Sequence, residues 1–273
     1  MSGDRGAAFR ALHRPGTPFV LANAWDRGSA QVLATLGAEA IGTTSAGFAF
    51  TRGKPDMGHV TRDEMLAHCA DLAGAVALPV SGDLENGYGD APEAVAETVR
   101  LAFEAGLAGC SIEDVRPPAG GAYGADEALE RVRAGIAAAR ALPRDFVFVA
   151  RADGVMTGAY DLETALARIR AFAAAGADCV YVPLPPDMDG LRRVVAAVDV
   201  PVNALAAGRF LGETHADFAA AGVARISVGS ALARATHRTL VDAASAMLGR
   251  GDFSQLGGIG GDRVDRLLKG EKA

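Results

Sequence analysis

The chain has 273 residues, half of them hydrophobic, enough to bury one large α/β core or two small ones. A net charge of −6 without a Lys/Arg stripe argues against a nucleic-acid partner, and no apolar run reaches the roughly eighteen residues a membrane span needs. Cys69, Cys110 and Cys179 are too scattered for a disulfide frame or a zinc site. They read as buried thiols of a cytoplasmic protein, and an N-terminus without an apolar signal core agrees with that expectation.

Taken in order, strand-like apolar runs fall at 19–22, 40–44, 78–82, 108–112, 146–150, 179–182, 201–205 and 225–228. Between them lie Ala-rich segments with helical spacing, among them 91–105, 126–141, 161–175 and 191–198. Several helices end in Gly followed by a small or apolar residue and the next strand, as at Ala105-Gly106-Leu107 and Ala175-Gly176-Ala177. Eight strands alternating with helices predict parallel pairing and closure into a (β/α)8 barrel. A doubly wound open sheet is the alternative, but no Gly-x-Gly-x-x-Gly turn follows the first strand. No linker or low-complexity stretch divides the chain, so residues 1–273 are read as a single barrel domain with a helical tail.

In such barrels chemistry gathers at the C-terminal strand ends. Here those ends carry Asn23, Trp25 and Asp26, then Thr43 to Gly47, Asp83 with Glu85, Glu113 with Asp114, Arg151 with Asp153, Pro183, Asn203, and Gly229 with Ser230. On an extended strand residues two apart share a side, so Asp83 and Glu85 are expected to face one spot. Two like charges held together need a cation or a shared proton, and a hard ion such as Mg²⁺ suits a carboxylate pair. The plain alternatives are a polar turn for that pair and helix caps for Asp26, Asp114 and Asp153.

The ordered motifs Asn23-Ala24-Trp25-Asp26, Gly42-Thr43-Thr44-Ser45-Ala46-Gly47, Gly53-Lys54-Pro55-Asp56, Asp83-Leu84-Glu85-Asn86-Gly87-Tyr88-Gly89, Ile112-Glu113-Asp114 and Ala150-Arg151-Ala152-Asp153 resemble the isocitrate lyase/phosphoenolpyruvate mutase superfamily. The resemblance implies a Mg²⁺-dependent barrel that acts on 2-oxo acids or their phosphonate and enol-phosphate relatives. It implies Asp83 as the main metal carboxylate, Glu85 and Glu113 as acidic partners of the ion, and Asp56 as a further acidic residue beside it. Ser45, with backbone N–H groups around Ala46 and Gly47, matches the carboxylate-gripping loop. Arg151 matches the contact to the substrate anion, and Trp25 a wall above the oxo acid. Asn203 is taken as a further substrate contact.

The departures bear on the reaction. Lyases of the superfamily carry a loop Cys and His after the fourth strand, whereas this chain reads Val115-Arg116-Pro117-Pro118-Ala119-Gly120-Gly121-Ala122-Tyr123-Gly124. Pro183 stands where related enzymes place His or Glu, and Glu85 replaces a more usual aspartate. The expected activity is a Mg²⁺-dependent lyase or decarboxylase that cleaves a C–C bond of a small 2-oxo acid. The alternatives are a phosphonopyruvate-type mutase or hydrolase, and a non-catalytic 2-oxo acid binder. The loop from Arg116 to Ala125 could close as a lid, with Arg116 as a second anion contact and Tyr123 as a proton source. The glycine-split tail, helical at 239–248 and 262–268, could exchange between subunits of a homodimer or homotetramer.

Overall fold

The computed structural model describes residues 4–271. Helix α1 (Arg5–Leu12) precedes β1 (Phe19–Asn23), followed by α2 (Arg27–Thr35), β2 (Ala40–Gly42), α3 (Ser45–Thr51), α4 (Arg62–Ala75) and β3 (Val80–Asp83). Then come α5 (Pro92–Glu104), β4 (Gly109–Glu113), α6 (Ala125–Arg140), β5 (Val147–Arg151), α7 (Gly154–Thr157), α8 (Leu162–Ala174) and β6 (Cys179–Tyr181). The last turns of the alternation are α9 (Met188–Ala196), β7 (Val202–Leu205), α10 (His215–Ala220) and β8 (Arg225–Ser227). The tail holds α11 (Ala231–Arg250) and α12 (Gly261–Leu268). All eight strands pair in parallel, and β8 returns to β1, closing the barrel.

Local chemistry explains why the elements start where they do. Asp26 and Thr61 cap α2 and α4 with reciprocal capping boxes, closed by Ser29 and Glu64. Asp161 and Asp187 accept from Thr164 and Gly190 to cap α8 and α9. Asp26 therefore takes its plain role as a cap. Asp114 and Asp153 do not; both belong to buried ion pairs described below.

The core has three parts, the smallest of them around Phe210 and Phe218 beside β7 and β8. Between strands and helices, Leu72, Val95, Val99, Ile136, Phe148, Ile169 and Phe172 bury their side chains in one continuous layer. Inside the barrel, Phe9, Phe19, Leu21, Val147, Val149, Cys179 and Tyr181 fill the space. Phe9 reaches that interior from α1, and Arg10 on the same helix binds Asp145 and Asp178 beside the starts of β5 and β6. Helix α1 thus plugs the N-terminal mouth and leaves the C-terminal mouth open. The three cysteines are free and buried, as expected. Among the described residues no helix is long and apolar enough to cross a membrane.

His68 on α4 is buried, stacks on Phe48 at 4.0 Å between ring centroids, and leaves Nε2 without a partner. Burial holds its pKa down at about 4. As pH falls below the ordinary histidine value, the unfolded chain takes up a proton that the folded chain refuses. The stabilisation is therefore complete above about pH 6.5 and drains away toward pH 4. His68→Leu should keep most of its stability at pH 7 yet lose about 2 kcal/mol less than wild type on going to pH 5. Urea unfolding at both pH values checks this; equal losses for the two proteins would contradict it.

Candidate active site

Four polar residues end β1, β3, β4 and β5: Asn23, Asp83, Glu113 and Arg151. Asn23 clasps the barrel seam. Its Nδ2 donates to the Thr43 carbonyl at 2.6 Å, and its Oδ1 accepts from the N–H groups of Val228 and Gly229, each at 2.9 Å. The other three meet. Arg151 donates to Asp83 Oδ1 at 2.7 Å, sits 3.3 Å from Glu113 Oε2, and grips Asp153 through Nε at 3.0 Å and Nη2 at 2.5 Å. Burial alone would lower the arginine's pKa, but Asp153, Asp83 and Glu113 more than reverse it. The guanidinium stays charged and fixed in a fork that suits carboxylates.

Ser45 opens α3 beside this group. Its N–H and hydroxyl both donate to Asp83 Oδ2, at 3.1 and 3.0 Å, while the Thr44 hydroxyl accepts from the Gly47 N–H at 3.2 Å. Asp83 is also anchored from behind, its N–H donating to Thr43 Oγ1 at 2.8 Å. A cavity of about 150 Å³ opens here, with Thr43, Ser45, Ala46, Asp56, Asp83 and Arg151 in its wall. Ser81, Ser111, Ser227 and Arg225 line it too, which carries it down into the barrel. Trp25 is half-buried next to Gly47, where an added Cβ would come within 3.0 Å of the Trp25 Cβ, but it is not part of the cavity wall.

Glu85 departs from the strand alternation. Strand β3 stops at Asp83, and Glu85 follows at φ 45°, a left-handed conformation that breaks the two-residue rule. Its Oε2 accepts from the Gly58 N–H at 2.9 Å. Asp83 and Glu85 therefore do not form the simple same-face pair expected from the sequence. They still interact: burial, then the charges of Asp83 and Asp56, push the Glu85 carboxyl up to about 7.

The same pressure acts on Glu113, raised well above the usual carboxylate range by burial and by Asp153, Asp83 and Glu85 against the pull of Arg151. Asp56 is raised as well, chiefly by burial. Glu113 Oε1 and Asp56 Oδ1 are buried without any hydrogen-bond partner. Buried carboxylate oxygens without partners and with raised proton affinity are chemically suited to meet a cation, and hard oxygen donors fit Mg²⁺. Among the described residues no three acidic, His or Cys side chains converge into a ready-made cage.

Tyr123 does not reach the cavity. It is fully buried, donates its hydroxyl to Asp90 Oδ1 at 2.6 Å and accepts from Asn86 Nδ2 at 2.8 Å. Arg116 and Arg131 lie over the ring at 4.4 and 4.0 Å. Burial first and the Asp90 hydrogen bond second raise its pKa to about 12, so the expected proton source is instead an anchor for its loop. Arg116 is likewise engaged with Glu127, at 2.6 Å. The loop is a tight hairpin with a bridge between Val115 and Ala122. Its Pro117-Pro118 step packs on Gly58, where an added Cβ would meet Pro118 N at 2.8 Å. Gly58 also sits at φ 77°, so the close approach and the backbone both call for glycine.

Asn203 is also displaced from its expected role. It is fully buried, donating Nδ2 to Ser227 Oγ at 2.9 Å and accepting from Arg225 Nε at 2.8 Å, and it braces Arg225 rather than lining the cavity. Arg225 and the inward serines were not singled out as site residues in the sequence. A charged residue inside an apolar strand run was the signal for Arg225. Asp114 proves structural: it accepts from Tyr160 at 2.6 Å, from Arg168 at 2.9 Å and from the Asp153 N–H at 2.9 Å.

Comparison with known proteins gives the family. A family model described as phosphoenolpyruvate phosphomutase matches residues 9–248. An oxaloacetate decarboxylase of Chromohalobacter salexigens is 30% identical over 233 residues, covering 82% of this chain and 78% of that protein. The 2-methylisocitrate lyase of Escherichia coli is 29% identical over 207 residues, covering 73% of this chain and 69% of that protein. A crystal structure from Burkholderia cenocepacia J2315, whose name gives it provisionally as a lyase/mutase, superposes with a TM-score of 0.90 at 45% identity, over 96% of this chain and 94% of that one. A structure of 2,3-dimethylmalate lyase gives 0.84 at 25% identity, over 97% and 94%. With the closed parallel barrel and the acidic group around Arg151, these matches establish that the chain belongs to the phosphoenolpyruvate mutase family, part of the isocitrate lyase/phosphoenolpyruvate mutase superfamily of lyases and mutases.

Proposed function

We propose that this protein is a Mg²⁺-dependent lyase or decarboxylase that cleaves a C–C bond of a small 2-oxo acid. The observation that carries the reading is the cluster of Ser45, Asp83 and Arg151 in the wall of a cavity of about 150 Å³, with Glu113 paired to Arg151. Drug-sized pockets run from roughly 300 Å³ upward, so this one suits a substrate of few heavy atoms. Asp83 would hold the cation, with Glu113, Glu85 and Asp56 as acidic partners. When bound, the ion supplies Lewis-acid stabilisation of negative charge developing on the 2-oxo oxygen. Arg151 orients Asp83 and presents fixed positive charge to the substrate anion. Ala46, in the cavity wall at the start of α3, would present its N–H to a carboxylate, while the Ser45 hydroxyl and N–H hold Asp83 in place. The Cys-free, His-free loop favours decarboxylation, which does not depend on a thiol acid at that position. A screen of oxaloacetate, methylisocitrate, dimethylmalate and phosphonopyruvate, with Mg²⁺ and with chelator, tests the reading. Turnover of phosphonopyruvate alone would favour the mutase chemistry, and no turnover of any of them would favour a binder.

We also propose a homodimer or homotetramer built on the tail. Along α11 and the segment after it, Leu240, Val241, Leu248, Phe253, Leu256 and Ile259 are all exposed, apolar side chains that a neighbouring copy could cover. Helix α12 docks on α2 of its own barrel, where the Thr35 hydroxyl donates to the Leu267 carbonyl at 2.8 Å. Leu248→Glu combined with Phe253→Glu should reduce the particle mass in light scattering without loss of helical signal. An unchanged mass would contradict assembly through this face.

A further inference from the structure

The cavity continues below the level of Arg151, and what lies at its foot is a second arginine. The strand register links Glu113 to Arg151, Arg151 to Tyr181, Tyr181 to Asn203 and Asn203 to Arg225. Barrel strands are tilted, so this row descends from the open mouth at the end of β4 to the start of β8. The space along it exists because the inward positions are small: Gly42, Ser81, Ser111 and Ser227 all line the cavity.

The two arginines differ in one respect. Arg151 is surrounded by Asp83, Glu113 and Asp153. Arg225 is 2% exposed, its Nε donates to the neutral amide of Asn203, and its Nη1 has no partner. Among the described residues it forms no ion pair with a carboxylate. An arginine cannot shed its charge as lysine can, so a buried unpaired guanidinium is held at a high desolvation cost. The hydroxyls of Ser81 and Ser111 share that wall and can accompany an anion there.

We infer that Arg225 forms a second anion subsite, and that the substrate is a dicarboxylic 2-oxo acid whose distal carboxylate is received by Arg225. This rests on the 2-oxo acid reading of the upper site, and it adds which members of that class the cavity selects. A monocarboxylic 2-oxo acid would leave Arg225 unpaired. A dicarboxylate brings a second anionic end to pair below, with its first end at the Ser45 and Arg151 level.

The test is calorimetric binding of 2-oxobutyrate, oxaloacetate and 2-oxoglutarate to the full chain. The proteins are wild type, Arg225→Gln, Arg225→Lys and Asn203→Asp, each checked for a native melting transition. Asn203→Asp supplies Arg225 with an internal carboxylate while keeping the guanidinium, which guards against a fold defect in the Arg225 variants. Wild type should prefer a dianion over 2-oxobutyrate by about tenfold to a hundredfold, as expected for a charge-assisted hydrogen bond to a buried group. Arg225→Gln and Asn203→Asp should abolish that preference, Arg225→Lys should keep part of it, and 2-oxobutyrate affinity should stay within a few-fold throughout. A preference that survives both Arg225→Gln and Asn203→Asp, or a wild type that binds monoanion and dianion alike, overturns the subsite and leaves the 2-oxo acid reading standing. Binding of none of the three overturns both. Repeating the wild-type titrations in gluconate and in chloride separates the sources of the anion. A dianion preference seen in gluconate and erased in chloride would assign the subsite to a free inorganic anion and overturn the substrate assignment.

Discussion

Arg151→Met is expected to abolish turnover and to lower the unfolding free energy by about 3–5 kcal/mol, the cost of stranding buried charges. Asp83, Glu113 and Asp153 all lean on this one guanidinium, and Glu113 and Asp153 are themselves almost fully buried. Without it their mutual repulsion must be relieved by protonation. The loss should therefore be largest at high pH and shrink as the medium turns acidic. Urea unfolding between pH 5 and 8 reads this directly. A loss under about 1 kcal/mol, as for an exposed ion pair, would show that the cluster is not electrostatically organised around Arg151.

Asp83→Ala is expected to remove detectable Mg²⁺ binding and to reduce kcat by about 10³-fold or more. The side chain joins three things at once: Arg151 at 2.7 Å, the Ser45 hydroxyl at 3.0 Å and the Ser45 N–H at 3.1 Å. Its removal takes one of three carboxylates from Arg151 and loosens the start of α3 in one step. Groups that act as a unit lose function non-additively, so Asp83→Ala with Arg151→Met should be little worse than either alone. Calorimetry with Mg²⁺ and steady-state kinetics check both statements. Unchanged metal affinity in Asp83→Ala would move the ion away from this carboxylate, and fully additive losses would mean that the two residues serve separate steps.

Much of this was legible in the residues themselves. Apolar runs located all eight strands, and glycine stops bounded several of the helices between them. The strand ends show where periodicity stops helping. Runs expected to finish at Ala22, Gly82, Ile112 and Ala150 each continue one residue, to Asn23, Asp83, Glu113 and Arg151. Backbone pairing is indifferent to side-chain polarity, so the ladder extends onto the polar residues that build the site. A hydrophobic pattern necessarily ends just before them. The tail helix shows the converse: its apolar spacing suggested a start near residue 239, whereas α11 begins at Ala231, directly after the β8 turn.

The residues that sequence reasoning misplaced depend on distant partners. Tyr123 looked like a loop hydroxyl, but Asp90, Asn86, Arg116 and Arg131 enclose it from other elements. Glu85 lies two residues after Asp83, yet a left-handed backbone and the Gly58 N–H set its direction. Asn203 sits on the expected inward face of β7 but faces Arg225, whose position follows from register across four strands rather than from local spacing. None of these contacts leaves a periodic trace in the chain.

The central claim, that the Asp83 and Arg151 cluster supports metal-dependent C–C cleavage of a 2-oxo acid, is tested most directly by following uniformly ¹³C-labelled oxaloacetate by NMR. The substrate would be incubated with wild type and with Asp83→Ala, each with Mg²⁺ or with chelator. The predicted result is conversion by wild type with Mg²⁺ to two carbon fragments, at a rate well above the spontaneous reaction and absent both from the chelated sample and from Asp83→Ala. Equal conversion in all four samples, or none above the uncatalysed background, would contradict it.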